Sequence, residues 1–503
     1  QELSKAIAQA QVLGGFVNVT LSDLHLLREL EAVATQGDAY GSINIGQGKR
    51  VVVEYFQNNV AKPPHVGHLR SAVIGDSVKR LFSFLGYNAV SDTHVGDWGV
   101  QFGILLYAFK TVGNRAVVEP DPIQELNKLY VAMSARIETE PELREQGKQE
   151  FVKLEQGDSE NRELWQWFVD VSLADFERYR ELLGLLPFDY NLGESFYEDK
   201  MQAVLQDLQQ KGLVSTGETG ELYVDLEADG LGRCILVKSD GGTTYHLRDF
   251  ATYIYRKDVI GFWKNVYVVD VRQAHHFKQL FKVLEKAGYP TATDSQHVDF
   301  GFMGLPEGAI STRKGNVISL EALVSEGVSR ARAIITEKNP DLANKDEVAQ
   351  QVALAAIKYF DLMHNRQSNI VFTWDKALSF EGNTGPYLQY THARIYGIAR
   401  KASAAPVAST APYALNAYER AVLQKILTFS EVLEQAAQEY YPNLLANYLF
   451  ELAQIFNRFY EAVPVNQESD PIARQYRTHL CSATAQVIKN GLYILGIAAP
   501  QEM

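Results

Sequence analysis

The chain has 503 residues, enough for about three domains at roughly 150 residues each. Its 46% hydrophobic and 22% charged fractions are those of an ordinary globular protein, and no apolar run approaches the ~20 residues of a membrane-spanning helix. A net charge of −13 weighs against nucleic acid as a partner, although residues 366–503, with 11 Lys and Arg against 11 Asp and Glu, are neutral.

Residues 1–40 read as one or two short helices with "FVNVTLS" as a strand between them. The first 16 residues carry a single lysine and do not match a signal peptide; the chain opens on Gln rather than Met. From "KRVVVEYF" (49–56) strand and helix alternate. "RSAVIGDSVKRLFSFLG" (70–86) has apolar residues at helical spacing and ends on Gly86, and "YNAVSDTHVGDWG" (87–99) is a short strand running into a turn. Residues 110–230 read as mostly helical. Strand signals return at "GELYVDL", "RCILVKS", "NVYVVDV" and "HVDFGFM". This alternation predicts an α/β fold, a doubly wound parallel (Rossmann-type) sheet with a helical insertion. After about residue 365 the strands stop. Four long helical patterns follow, "PYLQYTHARIYGIARKA", "YERAVLQKILTFSEVLEQAAQEY", "NLLANYLFELAQIFNRFYEAV" and "ARQYRTHLCSATAQVIKNGLYILG", with "ASAAPVASTAP" (402–412) as a linker. They predict an all-α bundle. Two distant cysteines, Cys234 and Cys481, suit neither a four-Cys zinc site nor a disulfide framework, so a cytoplasmic location is the default.

The chemistry concentrates in "NNVAKPPHVGHLRSAVIGDSVKRLF" (58–82), where His65 and His68 open a helix directly after a strand. Histidines three apart share a helix face. At the first turn they stand beside free backbone N–H groups and the positive end of the helix dipole, a place suited to phosphate. Their N–H groups could hold a triphosphate and stabilise charge developing at its α-phosphorus. Gly67 would let a flat base approach the backbone, and Lys62 adds a cation. A bare His-x-x-His is more often a helix cap or a pair of core residues. A zinc site of His65, His68, His94 and Asp97 is a further reading, and Val66 stands where a metalloprotease would carry Glu.

"VEYFQNNVAKPPHVGHLRSAVIGD" followed by "HVGDWGVQFG" (94–103) resembles the nucleotide-binding region of the class I aminoacyl-tRNA synthetase family, and within it the arginyl-tRNA synthetases. "LGESFYEDKM", "SDGGTTYHLRDFA", "VYVVDVRQAHHFKQLF", "LPEGAISTRKGNVISLEAL", "GNTGPYLQYTHARI" and "NGLYILGIAAPQEM" match in the same order, from about residue 40 to the end. The resemblance implies ATP-dependent activation of L-arginine to arginyl-adenylate and transfer to the 3′ end of tRNA(Arg), releasing AMP and pyrophosphate. It further implies magnesium accompanying ATP, no protein-bound zinc, and a monomer. Three parts are expected: residues 1–42 as the end of a tRNA-elbow domain, most of which is absent, 43–365 as the catalytic domain with its insertion at about 110–230, and 366–503 as a helical anticodon-binding domain.

By the same resemblance His65, Gly67 and His68 contact ATP, with Ser311, Arg313 and Lys314 in a mobile loop over the phosphates. That loop departs from the family pattern: Ala309 and Thr312 stand where lysines are usual, and Lys62 is placed to compensate. Tyr245 and Asp249, four apart and on one face if helical, would hold the guanidinium, with Gln273 completing the pocket. Gln57, Asn58, Asn59 and His68 would bind the amino-acid end, with Glu54 assisting and Glu194 a further candidate. Tyr387, Gln389, Tyr390, Arg394, Arg400 and Lys401 would face tRNA, the tyrosines stacking on unpaired bases. Two other functions compete. One is an adenylating ligase that uses no RNA, for which the 140-residue bundle has no purpose. The other is a catalytically impaired paralogue that binds tRNA or senses arginine, a reading that Ala309 favours and the intact His65, His68 and Lys62 oppose.

Overall fold

The computed structural model describes residues 6–305, 319–401 and 413–503, without the side chains of Ala399 and Lys401. In chain order, a hairpin of β1 (Ile7–Leu13) and β2 (Phe16–Leu21) leads into α1 (Asp23–Gln36). Next come β3 (Arg50–Glu54), α2 (Val66–Phe84) and β4 (Asn88–Asp92). Four main helices follow, α3 (Val100–Val112), α4 (Pro122–Thr139), α5 (Glu142–Glu155) and α6 (Ser159–Leu182), then α7 (Glu198–Gln210). β5 (Val214–Thr216), β6 (Leu222–Leu226) and β7 (Gly232–Val237) precede α8 (Tyr245–Tyr255), β8 (Lys264–Asp270), α9 (Ala274–Lys286) and β9 (Ser295–Phe300). The rest is β10 (Met303–Gly304), α10 (Leu320–Lys338), α11 (Lys345–Leu362), β11 (Ile370–Val371) and five helices: α12 (Gly385–Lys401), α13 (Ala417–Leu427), α14 (Phe429–Glu439), α15 (Pro442–Ala462) and α16 (Pro471–Ile494).

The central sheet is parallel, in the order β4–β3–β8–β9. Its two central strands, β3 and β8, are β-branched runs largely buried on both faces, as a parallel sheet covered by helices requires. Val51 and Val53 enter the core shared with α2, α11 and the C-terminal helices, whereas Val52 enters a second core with α7, α8 and α9. Because β4 and β8 flank β3 on opposite sides, the winding reverses between β3 and β8. A crevice at the carboxyl ends of the strands is the consequence.

Four expectations change. Residues 7–13 form a strand rather than a helix, pairing with Phe16–Leu21. "GELYVDL" and "RCILVKS" do not join the parallel sheet; they are β6 and β7 of a separate antiparallel β5–β6–β7 sheet. Five residues separate the two strands, too few for the crossover that parallel pairing needs. The insertion is therefore mostly helical, through α7, and carries this small sheet at its end. Finally, "YERAVLQKILTFSEVLEQAAQEY" is two helices. They break at Thr428, whose hydroxyl donates to the Lys425 carbonyl at 2.9 Å and so diverts a helical acceptor. The linker 402–412 lies outside the described residues.

Candidate active site

A cavity of about 940 Å³ opens at the carboxyl ends of all four parallel strands. Glu54 ends β3 and Gln57, Asn58 and Asn59 follow it, His94 and Gly96 follow β4, Asp270 ends β8 with Arg272 and Gln273 after it, and Phe300 ends β9 with Gly301 to Met303 after it. The first turn of α2 supplies His65, Gly67 and His68, and α8 supplies Tyr245 and Asp249. The segments entering the cavity are under backbone strain: Phe56, Ala61 and His94 all have positive φ, at 60°, 58° and 43°. Non-glycine residues adopt this conformation only where surrounding structure enforces it.

The two histidines cap their own helix reciprocally. The Gly67 N–H donates to His65 Nδ1 at 3.0 Å, and the His65 N–H donates to His68 Nδ1 at 3.1 Å. Each Nδ1 is thus an acceptor, which leaves Nε2 as the protonated nitrogen of the neutral ring. Burial lowers the proton affinity of His65, and burial together with the neighbouring His65 pushes His68 down to about 3. Both rings stay neutral near pH 7 and present N–H donors. The glycine between them is required by this cap: a Cβ on Gly67 would sit 2.6 Å from His65 Cε1. Gly67 thus admits the capping ring while itself lining the cavity. α2 itself is fixed by Arg70, fully buried, which donates to the Gly301 carbonyl at 2.7 Å and pairs with Asp361 at 3.0 Å.

The opposite wall carries the negative charge. Asp249 accepts from His276 Nε2 at 2.6 Å, and His94 Nε2 lies 3.7 Å from its other oxygen. Burial raises its proton affinity, but the hydrogen bond and charge of His276 outweigh this, and the carboxyl ends below its ordinary value. Tyr245, one helical turn before it, lies at the cavity's open side. Glu194, raised by burial, also lines the cavity and is held by Arg248 at 3.1 Å. Gln57 donates to Glu54 at 3.1 Å, and Glu54 is backed by the fully buried Arg256 at 2.6 Å. Asn58 is buried, with its Oδ1 unpartnered.

All of Gln57, Asn58, Asn59, His65, Gly67, His68, Tyr245, Asp249 and Gln273 therefore line one cavity. Lys62 does not; its ammonium rests 4.7 Å from the ring centroid of Tyr130 on α4, and desolvation there lowers its proton affinity. Ser311, Arg313 and Lys314, with Ala309 and Thr312, lie outside the described residues. His276 was not singled out from the sequence, although it stands three residues after Gln273 in a matched segment; its contact with Asp249 joins two helices and has no local signature. Among the described residues no group of three or more His, Cys, Asp or Glu is placed to hold a metal ion.

On α12, Tyr390 and Arg394 are exposed. Arg394 lies 4.9 Å from the Tyr460 ring centroid, and Arg400 is ion-paired with Glu502. Tyr387 is half-buried, its hydroxyl accepting from Asn457 at 2.7 Å. Gln389 cannot face a ligand: it is 0% exposed, and its amide donates to the Gln351 and Ala498 carbonyls at 3.2 and 2.8 Å. The side chain of Lys401 lies outside the described residues.

Comparison with known proteins agrees with this geometry. The family "tRNA synthetases class I (R), catalytic domain" matches residues 29–374, and "DALR anticodon binding domain" matches residues 388–503. A Streptococcus uberis arginine–tRNA ligase is 45% identical over 100% of this chain and 90% of its own length. A Lactococcus lactis arginine–tRNA ligase is 43% identical over 99% and 87%. The Thermus thermophilus arginyl-tRNA synthetase structure superposes with a TM-score of 0.82 at 28% identity, covering 99% of this chain and 89% of that one. With a parallel sheet that opens on paired histidines, a helical C-terminal domain and these matches over its whole length, the chain belongs to the arginyl branch of the class I tRNA synthetases.

Proposed function

We infer that the chain is an arginine–tRNA ligase, which activates L-arginine with ATP and transfers it to the 3′ end of tRNA(Arg). The observation that carries the reading is the single cavity with neutral N–H donors on one wall and a half-buried carboxylate, held below its ordinary proton affinity, on the other. A guanidinium needs a carboxylate and further acceptors, which Asp249, Tyr245 and Gln273 supply. In this pose the arginine carboxylate oxygen attacks the α-phosphorus; the new O–P bond forms as the bond to the pyrophosphate oxygen breaks. His65 and His68, with Nε2–H directed to the phosphates, stabilise the charge that builds there without any proton transfer. Gln57, Asn58 and Asn59 hold the amino-acid end. The terminal ribose hydroxyl of tRNA then attacks the arginyl carbonyl carbon, and AMP leaves. The protein contributes position and electrostatics rather than a nucleophile.

Several finer assignments rest on family resemblance. Ser311, Arg313 and Lys314 cover the phosphates, with Lys62 replacing the absent loop lysines after leaving Tyr130. Magnesium arrives with ATP, held by phosphate oxygens. Tyr387, Tyr390, Arg394, Arg400 and Lys401 meet tRNA. The division at residues 42 and 365, a monomeric state and a cytoplasmic setting complete the proposal.

Pyrophosphate exchange tests it. Exchange should depend on arginine and on added tRNA, and lysine should not replace arginine. Canavanine, which keeps the guanidine group, should be accepted weakly. Absence of exchange with arginine and tRNA together would overturn the reading and favour an impaired paralogue.

A further inference from the structure

Asp249 alone does not define a guanidinium site, because a carboxylate on a two-bond stem can turn away. The structure shows what stops it. His276 Nε2 lies 2.6 Å from Oδ2 of Asp249, and the His276 side chain is only 7% exposed. A carboxylate only accepts, so Nε2 carries the proton. Nδ1 of His276 is buried and has no hydrogen-bond partner among the described residues. Nε2–H of His276 is therefore the donor that fixes Oδ2 of Asp249.

The ring is itself immobilised. Tyr245, His246 and Phe277 surround it with centroids at 4.9, 4.6 and 5.2 Å. His246 is fixed by Gln279 at 3.0 Å, whose amide in turn donates to the Leu231 carbonyl at 2.8 Å. Phe277 stacks on His297 at 4.3 Å, and His297 Nε2 is tied to the Val269 carbonyl at 2.9 Å. A continuous stack of rings thus runs from the helix that bears Asp249 to the edge of the parallel sheet. The other charged and titratable groups near the carboxylate are His94 at 3.7 Å, Arg248 and Glu194; Arg248 is occupied by Glu194 and Glu198.

We propose that His276 is a positioning residue for arginine: its N–H holds Oδ2 of Asp249 so that Oδ1 stays turned into the cavity to meet the guanidinium. The proposal rests on the assignment of Asp249 as the guanidinium acceptor, and it separates the residue that touches arginine from the residue that aims it. ATP makes no use of this contact, so the effect belongs to arginine alone.

The test measures KM for arginine, KM for ATP and kcat in tRNA-dependent pyrophosphate exchange, for wild type, His276→Phe, His276→Gln, Asp249→Asn and the His276→Phe/Asp249→Asn double variant. Phe keeps the ring stack and deletes the N–H; Gln can return an N–H to the same oxygen. Losing a hydrogen bond to a charged group predicts a KM for arginine raised about 10- to 100-fold in His276→Phe, with KM for ATP and kcat within about twofold. His276→Gln should recover most of that loss. In the double variant the two losses should multiply to at least about fivefold less than expected for independent sites. An unchanged arginine KM in His276→Phe, a parallel rise in the ATP KM, or losses that multiply fully would each overturn the proposal. If His276→Phe does not fold, His276→Gln against the Asp249→Asn cycle decides. Wild-type exchange without arginine dependence would instead defeat the function inferred above, so the two failures are distinct.

Discussion

The reciprocal cap of His65 and His68 performs two tasks with one set of atoms, ending the helix and setting the tautomers that face the cavity. The spacing of the pair and its place after a strand were readable in the sequence. The reason for Gly67 was not, because it lies in the approach of the His65 ring. Gly67→Ala should therefore displace His65 and raise KM for ATP about tenfold or more while leaving KM for arginine within about twofold; equal effects on both substrates would contradict the cap as its cause. His68 carries a pH signature. Its proton affinity is depressed in the fold, to about 3, so as pH falls the unfolded chain takes up the proton first. Its contribution to stability is full above about pH 6.5 and declines from there towards pH 3. The fall in Tm between pH 7 and pH 5 should be shallower in His68→Asn than in wild type, and identical slopes would show that the ring is not held neutral. Lys62 poses the opposite case, a cation parked on Tyr130 with no anion paired to it among the described residues. If it serves the phosphates, Lys62→Ala should slow activation more than about tenfold with little change in KM for arginine. An unchanged rate would remove it from the mechanism.

At the scale of elements, periodicity identified strands and helices well and their partners less well. "RVVVE" and "NVYVVDV" are apolar on every side and read as buried parallel strands, which they are. "LYVDL" alternates and is buried on one side only, which is the mark of the antiparallel sheet it joins. The break at Thr428 was hidden inside a long amphipathic pattern because both helices present an apolar face to one core. The helix Gly385–Lys401 shows how a surface stripe and a buried row interleave. Tyr390 and Arg394 fall on the exposed face, whereas Gln389, a single residue away, turns about 100° inwards. Sequence alone does not say which of two adjacent polar residues is buried; the carbonyls of Gln351 and Ala498 do. Gln389→Ala leaves the Ala498 carbonyl without this donor and should cost about 1–3 kcal/mol of stability, seen as a lower Tm. Tyr390→Ala should leave Tm within about a degree and weaken tRNA binding. A Gln389→Ala variant as stable as wild type but weaker for tRNA would return that residue to the interface.

Across the whole molecule the catalytic sheet and the C-terminal helices share one core. Val51, Val53 and Val266 of the sheet belong to the same buried cluster as Leu449, Leu452 and Ile488 of the bundle. Polar ties cross the same boundary: Lys358 donates to the Gly496 carbonyl at 2.7 Å, and Asn490 to the carbonyls of Gly37 and Tyr40 at 3.0 and 3.1 Å. Two parts joined in this way should unfold together, so calorimetry should show one transition with no separate melting of the bundle. Arg366 is the sharpest test. Its Nε donates to the Tyr440 carbonyl at 3.1 Å, its guanidinium lies 4.6 Å from the Tyr441 ring centroid, and it pairs with Asp299 on the strand that ends at the cavity residues Phe300 and Gly301. Removing it takes the ion pair from a half-buried carboxylate, leaving it only the Gln367 amide, and the donor from a carbonyl, at about 2–4 kcal/mol. Arg366→Lys supplies the charge but not the planar fork that reaches both partners, so it should recover only part of that loss. Arg366→Ala should lower Tm by a few degrees while the transition stays single. If the transition instead splits in two, the shared core is too weak to couple the parts and Arg366 is what holds them. If Arg366→Lys matches wild type, the fork geometry contributes nothing and the tie is a simple charge pair.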